Sequence, residues 1–158
     1  MCPWTAGHVR YEMIVETNIG VKHSEVDKMS IVHNSVYPMW FEAGRRSYLK
    51  EAGMPDSLMR GRGLFLPLSE MECRYKSPAR LRDKLVVKTD LTVVSCAKIK
   101  FEYRIFNRKN GKLVAIGRTV HAWTDSCIKP LNIEKTAPEI YRQLKLFAES
   151  TEATAEGT

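Results

Sequence analysis

The clearest pattern of hydrophobic and polar positions lies between residues 36 and 53, where apolar residues recur at intervals of three and four. This spacing predicts a long helix with one apolar stripe. Asn34 or Ser35 is expected to cap its start, with Pro38 in the first turn, where a missing N–H costs nothing. Gly53 marks its end. The stripe consists of Val36, Tyr37, Trp40, Phe41, Gly44 and Tyr48.

Strand patterns lie on both sides of this helix. Residues 9–25 alternate in part and are rich in β-branched side chains, which favours one strand ahead of the helix. Asn110-Gly111 is a strong hairpin signal, and with the short break near Ser95 it predicts that consecutive strands pair antiparallel in a meander. The order predicts an α+β fold, in which one long helix faces an antiparallel sheet of about five strands. The later extended segments are residues 64–76, 83–95, 98–107 and 113–125.

The chain contains no repeat, no low-complexity linker and no internal boundary, and its 158 residues fit one domain. We assign residues 1–8 to an N-terminal extension, residues 9–148 to the single domain and residues 149–158 to a disordered polar tail. A short peripheral helix is expected within residues 134–150. One long helix can hardly cover so wide a sheet, so we expect a dimer at least.

The formal charge of +7 suggests a polyanionic partner, either a nucleic acid or a phosphorylated small molecule. Within residues 98–105, apolar side chains alternate with mostly cationic ones, which predicts a strand with one buried face and one basic face. That basic strip is open to three interpretations: a solvated face, a phosphate-binding surface or a nucleic-acid surface. No nucleic-acid-binding motif accompanies it, so we predict no nucleic-acid partner.

Three features point to a cytoplasmic protein without a membrane partner. No apolar run approaches the roughly 20 residues that a spanning helix needs. The first residues lack the charged and apolar regions of a secretion signal. The four cysteines are widely spaced and form no C-x-x-C pair, which predicts reduced, mostly buried thiols.

Two segments resemble those of a known family. Residues 21–49, which begin VKHSEVDKMSIVHNSVY and continue through FEAGR, are similar to the signature of hotdog-fold acyl-CoA thioesterases of the 4-hydroxybenzoyl-CoA thioesterase type. Residues 73–85, CRYKSPARLRDKL, resemble the second recurring segment of that family, and the likeness covers residues 9–127. Ser30 stands where glycine is common, and glycine there allows a backbone turn that is less accessible to serine. The other departures are His23 and His33.

The resemblance implies the hotdog fold, in which a strongly curved antiparallel sheet wraps around the central helix. It also implies that two protomers pair into one continuous sheet, as a homodimer or a homotetramer, with active sites between protomers. The implied activity is hydrolysis of acyl-CoA to free acid and coenzyme A, with no metal and no organic cofactor. A non-catalytic acyl-CoA-binding module and a hotdog hydratase or dehydratase remain alternatives.

Asp27 is the predicted catalytic carboxylate, because it lies seven residues before Asn34 on the connection that leads into the helix. The first turn of a helix presents free N–H groups and the positive end of the dipole, which suit a developing oxyanion. Asp27 either attacks the thioester carbonyl or activates a water, and both routes stay open. By resemblance, the backbone of Asn34 supplies the polarising donor, and its side chain is either a helix cap or a holder of water or carbonyl. His33 is either a loop histidine or a catalytic residue that orients the substrate or transfers a proton.

Several other side chains are candidates for binding the substrate or a metal. Glu42 has the spacing for ion pairs with the two arginines that follow it, so a structural role is favoured over a catalytic one. A metal site is conceivable, because His23, Glu25 and Asp27 alternate along a predicted strand and would share one face that His33 could close. The family signature, however, already explains those positions. The acyl group and the choice between coenzyme A and a carrier protein stay open. The predicted substrate-binding residues are Tyr37, Lys76, Arg80, Lys98 and Lys100, of which the cations suit phosphates.

Overall fold

The computed structural model describes residues 12–150, in which an antiparallel sheet curves around one long helix. The predicted N-terminal extension and most of the predicted tail lie outside these residues. The strands are β1 (Ile14–Gly20), β2 (Leu68–Tyr75), β3 (Lys84–Val94), β4 (Lys98–Asn107) and β5 (Leu113–Ala122). The helices are α1 (Tyr37–Glu51), α2 (Asp56–Gly61), α3 (Ile133–Thr136) and α4 (Pro138–Glu149), with 3₁₀ turns at His23–Glu25 and Asn34–Val36.

The sheet has the order β1-β3-β4-β5-β2, and every neighbouring pair is antiparallel. The two predicted tight connections are confirmed, since β3, β4 and β5 follow one another directly, and Gly111 adopts φ +71° in the second of them. The predicted four-strand meander is wrong at β2, which pairs with β5 at the far edge. The reason is the connection of residues 76–83, which passes the start of α1, where Val32 N–H donates to the Ala79 carbonyl over 2.9 Å. The predicted α+β hotdog arrangement is confirmed.

Helix α1 buries the predicted apolar stripe against the concave face of the sheet. Phe41 is fully buried and stacks on Tyr103 of β4, with ring centroids 4.8 Å apart. The predicted cap is wrong, because neither Asn34 nor Ser35 makes a side-chain capping hydrogen bond. An extra 3₁₀ turn, closed by Val36 N–H donating to the carbonyl of residue 33, extends the helix at this end.

The helix near the end of the described residues is longer and more buried than the short peripheral helix that was predicted. Helix α4 runs for 12 residues and presents an apolar face to the core, where Leu144 and Ala148 are fully buried. Phe147 meets the ring of Tyr48 edge to face at 5.2 Å, so α4 covers the end of α1. The amphipathic pattern of α4 therefore reflects tertiary packing rather than a solvated surface helix.

The outer face of the sheet carries charges of both signs, so the predicted cationic strip on β4 is not uniformly basic. Arg118 of β5 lies within ion-pair distance of Glu72 on β2 and Glu102 on β4. Lys88 of β3 pairs with Glu16 of β1 at 3.6 Å. These exposed pairs each stabilise the fold by at most about 1 kcal/mol. They do reduce the net positive charge that this face presents.

Asp90, also on the outer face, is expected to weaken the fold at neutral pH. Burial, and then the charge of Glu102 opposite it, raise the pKa of Asp90 from 3.8 to about 6. The native state thus holds a proton that the unfolded chain releases, so stability falls as the pH rises from near 4 through 6.

We therefore expect Asp90→Asn to stabilise the protein at pH 7.5 by about 1 kcal/mol, a value reduced for the partial exposure of this side chain. Urea unfolding at pH 7.5 and at pH 4 measures the effect, and the gain should vanish at the lower pH. An equal gain at both pH values would show that the effect is not electrostatic.

No helix within residues 12–150 is long and apolar enough to cross a membrane.

The cysteines differ from the predicted set of reduced, mostly buried thiols. Cys73 is a half-buried free thiol and Cys127 an exposed one, whereas Cys96 is buried.

Candidate active site

Residues 26–32, named here the Asp27 loop, fold into a small hairpin directly ahead of α1. Val26 and Val32 form an antiparallel bridge, and Asp27 N–H donates to the Ile31 carbonyl over 2.9 Å. The chain reverses at Ser30, which lies in the left-handed region with φ 61°. Because one residue separates Val32 from the 3₁₀ turn before α1, the loop leads directly into the start of the helix.

Two backbone N–H groups hold the Asp27 carboxylate. Its Oδ1 accepts from Met29 N–H at 2.8 Å and from Ile31 N–H at 3.1 Å. Within residues 12–150, Oδ2 accepts no hydrogen bond, and the residue is exposed in the single protomer. The carboxylate is thus oriented through one oxygen, while the other oxygen is available to a substrate or a water.

The departure at Ser30 from the family pattern does not prevent the turn. Ser30 adopts the positive φ that glycine would supply, at a local cost of about 1–2 kcal/mol. Its backbone is held on both sides, because its N–H donates to the Asp27 carbonyl and its own carbonyl accepts from Leu81 N–H, each over 3.0 Å. The expectation that serine reaches this turn less readily is therefore overcome by these contacts.

The start of the helix offers the polar groups that the sequence predicted. The N–H groups of Asn34 and Ser35 donate to no acceptor within residues 12–150. The side chains of His33 and Asn34 are exposed and form no hydrogen bond to the described part of the chain. Asp27, His33 and Asn34, the three predicted catalytic residues, are all exposed on the segment that leads into α1.

Two tyrosines support the start of the helix. The hydroxyl of Tyr75, on strand β2, donates to the carbonyl of Asn34 over 3.0 Å. The ring of Tyr75 meets that of Tyr37 edge to face at 4.9 Å, and Tyr37 in turn packs against Trp40. Tyr37 was predicted to bind substrate, and in the structure only 3% of it is exposed. Sequence reasoning matched Tyr75 to the family pattern but gave it no role.

The structure separates the predicted phosphate-binding cations into two groups. Arg80 forms a bridge with Ile31 of the Asp27 loop, and both Arg80 and the nearby Lys76 are exposed. Lys98 and Lys100 instead lie on the outer face of β4, since their neighbours in sequence face the core. They are also at the other end of the sheet, because Lys98 pairs with residue 122 of β5 whereas Tyr75 pairs with residue 115. Within one protomer, Lys98 and Lys100 do not join the Asp27 site.

The structure does not have the strand geometry on which the conceivable metal site depends. His23 and Glu25 belong to a 3₁₀ turn rather than to a strand, so they do not alternate with Asp27 on one face. Within residues 12–150, no three histidine, cysteine, aspartate or glutamate side chains form a group that could hold a metal.

Glu42 forms the predicted ion pairs, with Arg46 at 3.0 Å and Arg45 at 3.7 Å.

Sequence reasoning missed a cavity of about 250 Å³ between α1 and β2. Its polar floor consists of Tyr103, Thr119 and His121, which come from β4 and β5. Burial, and then the charge of Arg45, lower the pKa of His121 to about 4. The alternation of Thr119 and His121 along β5 is the sequence signal that marks them as a pair on one face of the strand.

Known proteins are similar to this chain in sequence and in fold. The model of the thioesterase-like superfamily matches residues 21–144. The chloroplastic acyl-acyl carrier protein thioesterase ATL3 of Arabidopsis thaliana is 30% identical over 118 residues, which is 75% of this chain but only 62% of that protein. The putative acyl-CoA thioesterase YneP of Bacillus subtilis is 28% identical over 127 residues, covering 80% of this chain and 91% of YneP.

A solved structure adds the same likeness in three dimensions. The DHNA-CoA thioesterase of Staphylococcus aureus superposes with a TM-score of 0.77 at 26% identity, covering 92% of this chain and 95% of that one. The residues that the family model matches include the Asp27 loop, helix α1 and strands β2 to β5. The chain belongs to the thioesterase-like superfamily.

Proposed function

We propose that this protein hydrolyses acyl-CoA thioesters to a free acid and coenzyme A. The observation that carries the proposal is the geometry at Asp27, whose carboxylate is fixed by two backbone N–H groups and keeps Oδ2 available on the loop that leads into the uncapped start of α1. Thioesterases among the relatives and solved structures support the same reaction class.

In the proposed reaction, the thioester carbonyl oxygen accepts hydrogen bonds from the N–H of Asn34 and the neighbouring N–H of Ser35. Such donors stabilise a developing oxyanion and contribute about 10²–10³ in rate each. Either Asp27 Oδ2 attacks the carbonyl carbon and the C–S bond breaks, giving a mixed anhydride that water then cleaves, or Asp27 takes a proton from an attacking water. In both routes the sulfur leaves as the coenzyme A thiolate, which is then protonated. His33 and the Asn34 amide are placed to hold the water or the acyl group.

The proposed binding surface for coenzyme A lies next to the Asp27 loop. Lys76 and Arg80 are exposed there and would bind the nucleotide phosphates, while Tyr37 supports the site from below. Guanidinium and ammonium groups bind phosphates well. The proposed reaction uses the Asp27 carboxylate, backbone N–H groups and water, and it needs no metal or organic cofactor. A cytoplasmic location is part of the same proposal, because acyl-CoA is an intracellular substrate.

The proposed assembly is a homodimer, or a homotetramer built from two dimers. Strand β2 forms one edge of the sheet and pairs only with β5 among the described strands. Three large side chains of β2 are exposed: Leu68 at 54%, Met71 at 45% and Tyr75 at 52%. An exposed edge with apolar side chains suits pairing with a second copy, and that pairing would cover the cavity wall and the tyrosine next to the helix start.

Release of coenzyme A from a panel of acyl-CoA substrates tests the proposed function. Thiol-specific reagents will also react with the free Cys73 and Cys127, so the protein alone must be subtracted as a blank. We expect turnover on at least one acyl chain, with saturable kinetics. Saturable binding of acyl-CoA without release of coenzyme A would support a non-catalytic binding module instead.

A further inference from the structure

The cavity between α1 and β2, named here the α1 cavity, runs along the helix from its first turn to its third. Pro38, Glu42 and Arg45 line one wall, at the spacing that places them on one face of α1. Leu68 and Met71 of β2 form an apolar wall opposite. Because Pro38 lies in the first turn of α1, the cavity begins about one helical turn beyond the free N–H group of Asn34.

The side chains that form the floor of the α1 cavity donate their hydrogen bonds to other groups of the protein. His121 Nδ1 lies 3.0 Å from the Leu66 carbonyl, which can only accept, so Nδ1 carries the proton. The neutral ring then accepts at Nε2 from the Thr119 hydroxyl at 3.0 Å, consistent with the lowered pKa of His121. Thr119 Oγ1 in turn accepts from the Tyr103 hydroxyl at 2.7 Å. Each polar hydrogen of these three side chains is therefore donated to an acceptor within the protein.

Arg45, which also lines the α1 cavity, carries further hydrogen-bond donors. Its side chain is only 12% exposed, and its one ion pair within residues 12–150 is with Glu42 at 3.7 Å, longer than a hydrogen bond. Glu42 is closer to Arg46, at 3.0 Å. A guanidinium has five N–H donors, and burying them without acceptors is unfavourable. The α1 cavity thus presents a largely buried guanidinium, with no partner closer than Glu42 among residues 12–150, opposite the apolar wall of Leu68 and Met71.

The position of Arg45 matches the far end of an acyl chain. It lies eight residues beyond Tyr37, about 12 Å along the helix axis, and long helical side chains point back toward the N-terminus. A medium-length acyl group with its carbonyl at Asn34 N–H would extend along the cavity past the apolar wall toward the guanidinium.

We propose that the α1 cavity selects acyl groups that carry a hydrogen-bond-accepting oxygen, a carboxylate or a hydroxyl, at the end remote from the thioester, and that Arg45 binds this oxygen. The inference rests on the proposed hydrolase activity and adds the substrate class. A saturated chain of the same length would leave the donors of Arg45 unsatisfied, so it should bind less tightly.

Kinetics with substrates matched in length test this selectivity. The panel is octanoyl-CoA, the same chain ending in a carboxylate (suberoyl-CoA), and the same chain ending in a hydroxyl (omega-hydroxyoctanoyl-CoA). We expect kcat/KM to be about tenfold higher for at least one of the two oxygenated chains, mainly through a lower KM. The arm that gains more identifies which oxygen the cavity takes.

Arg45→Met should bring the ratio of kcat/KM between oxygenated and plain chains close to one. Arg46→Met is the matched control, since Arg46 is the adjacent arginine, is 60% exposed and pairs with Glu42 and Asp56. It should leave the ratio unchanged. If circular dichroism shows that Arg45→Met does not fold, Arg45→Lys replaces it, and the loss of the planar fork should reduce the ratio for the carboxylate chain.

Three results would overturn the inference. A wild-type ratio near one refutes the selectivity while the hydrolase activity stands. An equal fall of the ratio in the Arg45 and Arg46 variants shows a general charge effect rather than binding in the cavity. Release of no coenzyme A from any acyl-CoA overturns the proposed function and this inference together.

Discussion

Replacing Asp27 with asparagine should lower kcat for acyl-CoA hydrolysis by about 10²–10⁴-fold, the range typical of losing a carboxylate that acts as a base or nucleophile. The loop should survive, because an asparagine Oδ1 can still accept from Met29 N–H and Ile31 N–H. The thermal midpoint and circular dichroism of the variant should therefore stay close to those of the wild type, and KM should change much less than kcat.

The chain supplies its own control for this experiment. Asp125 occupies a loop with the same geometry, in which its Oδ1 accepts from Cys127 N–H at 2.8 Å and Lys129 N–H at 2.9 Å. The fourth residue of that loop, Ile128, has φ 61°, the value found at Ser30. Asp125→Asn thus makes the same change in the same type of turn, away from the helix start.

The two variants separate a chemical role from a structural one. If Asp27 acts on the substrate, Asp27→Asn loses activity and Asp125→Asn keeps it, with similar small effects on stability. Full activity in Asp27→Asn would refute the proposed mechanism. Equal losses in both variants would show that these turns matter only for the fold.

Local signals in the sequence predicted local structure well. The apolar stripe of α1, the positive φ of Gly53 at its end and the hairpin at Gly111 each depend on a few adjacent residues, and all are confirmed. The place of β2 at the far edge of the sheet depends on the path of a connection around the start of α1, which no local pattern records. The 3₁₀ turn at Asn34 also escaped prediction, because capping residues there equally suit an α-helical start.

The same division applies to the candidate site. Asp27, His33 and Asn34 lie within one contiguous motif, so a single resemblance predicted all three. The α1 cavity is assembled from α1, β2, β4 and β5, so Arg45 and His121 are neighbours only in the folded chain. The alternation in residues 98–105 predicted the outward face of Lys98 and Lys100, but it does not reveal which end of the sheet they occupy.

Gly117 of β5 seats α1 on the sheet, and its replacement is expected to have the largest effect on stability. A Cβ built at this position would overlap three carbons of the Phe41 ring, which is fully buried. The ring has little space to retreat, because it stacks on Tyr103 at 4.8 Å. The absence of a side chain at Gly117 therefore sets how closely the helix approaches the strand.

Gly117→Ala should lower the free energy of unfolding by about 1–3 kcal/mol, the usual penalty for overpacking a core. Urea unfolding measures the loss, and Gly20→Ala is the control, since a Cβ at the end of β1 meets no atom within 4 Å. Because the overlap is with one ring, Phe41→Leu in the same chain should recover part of the loss, giving a double variant more stable than the sum of the two single changes predicts. Strict additivity would show that the strain lies elsewhere. A displaced α1 would also move the N–H of Asn34 away from the carboxylate of Asp27, so Gly117→Ala should reduce hydrolysis even where the protein remains folded.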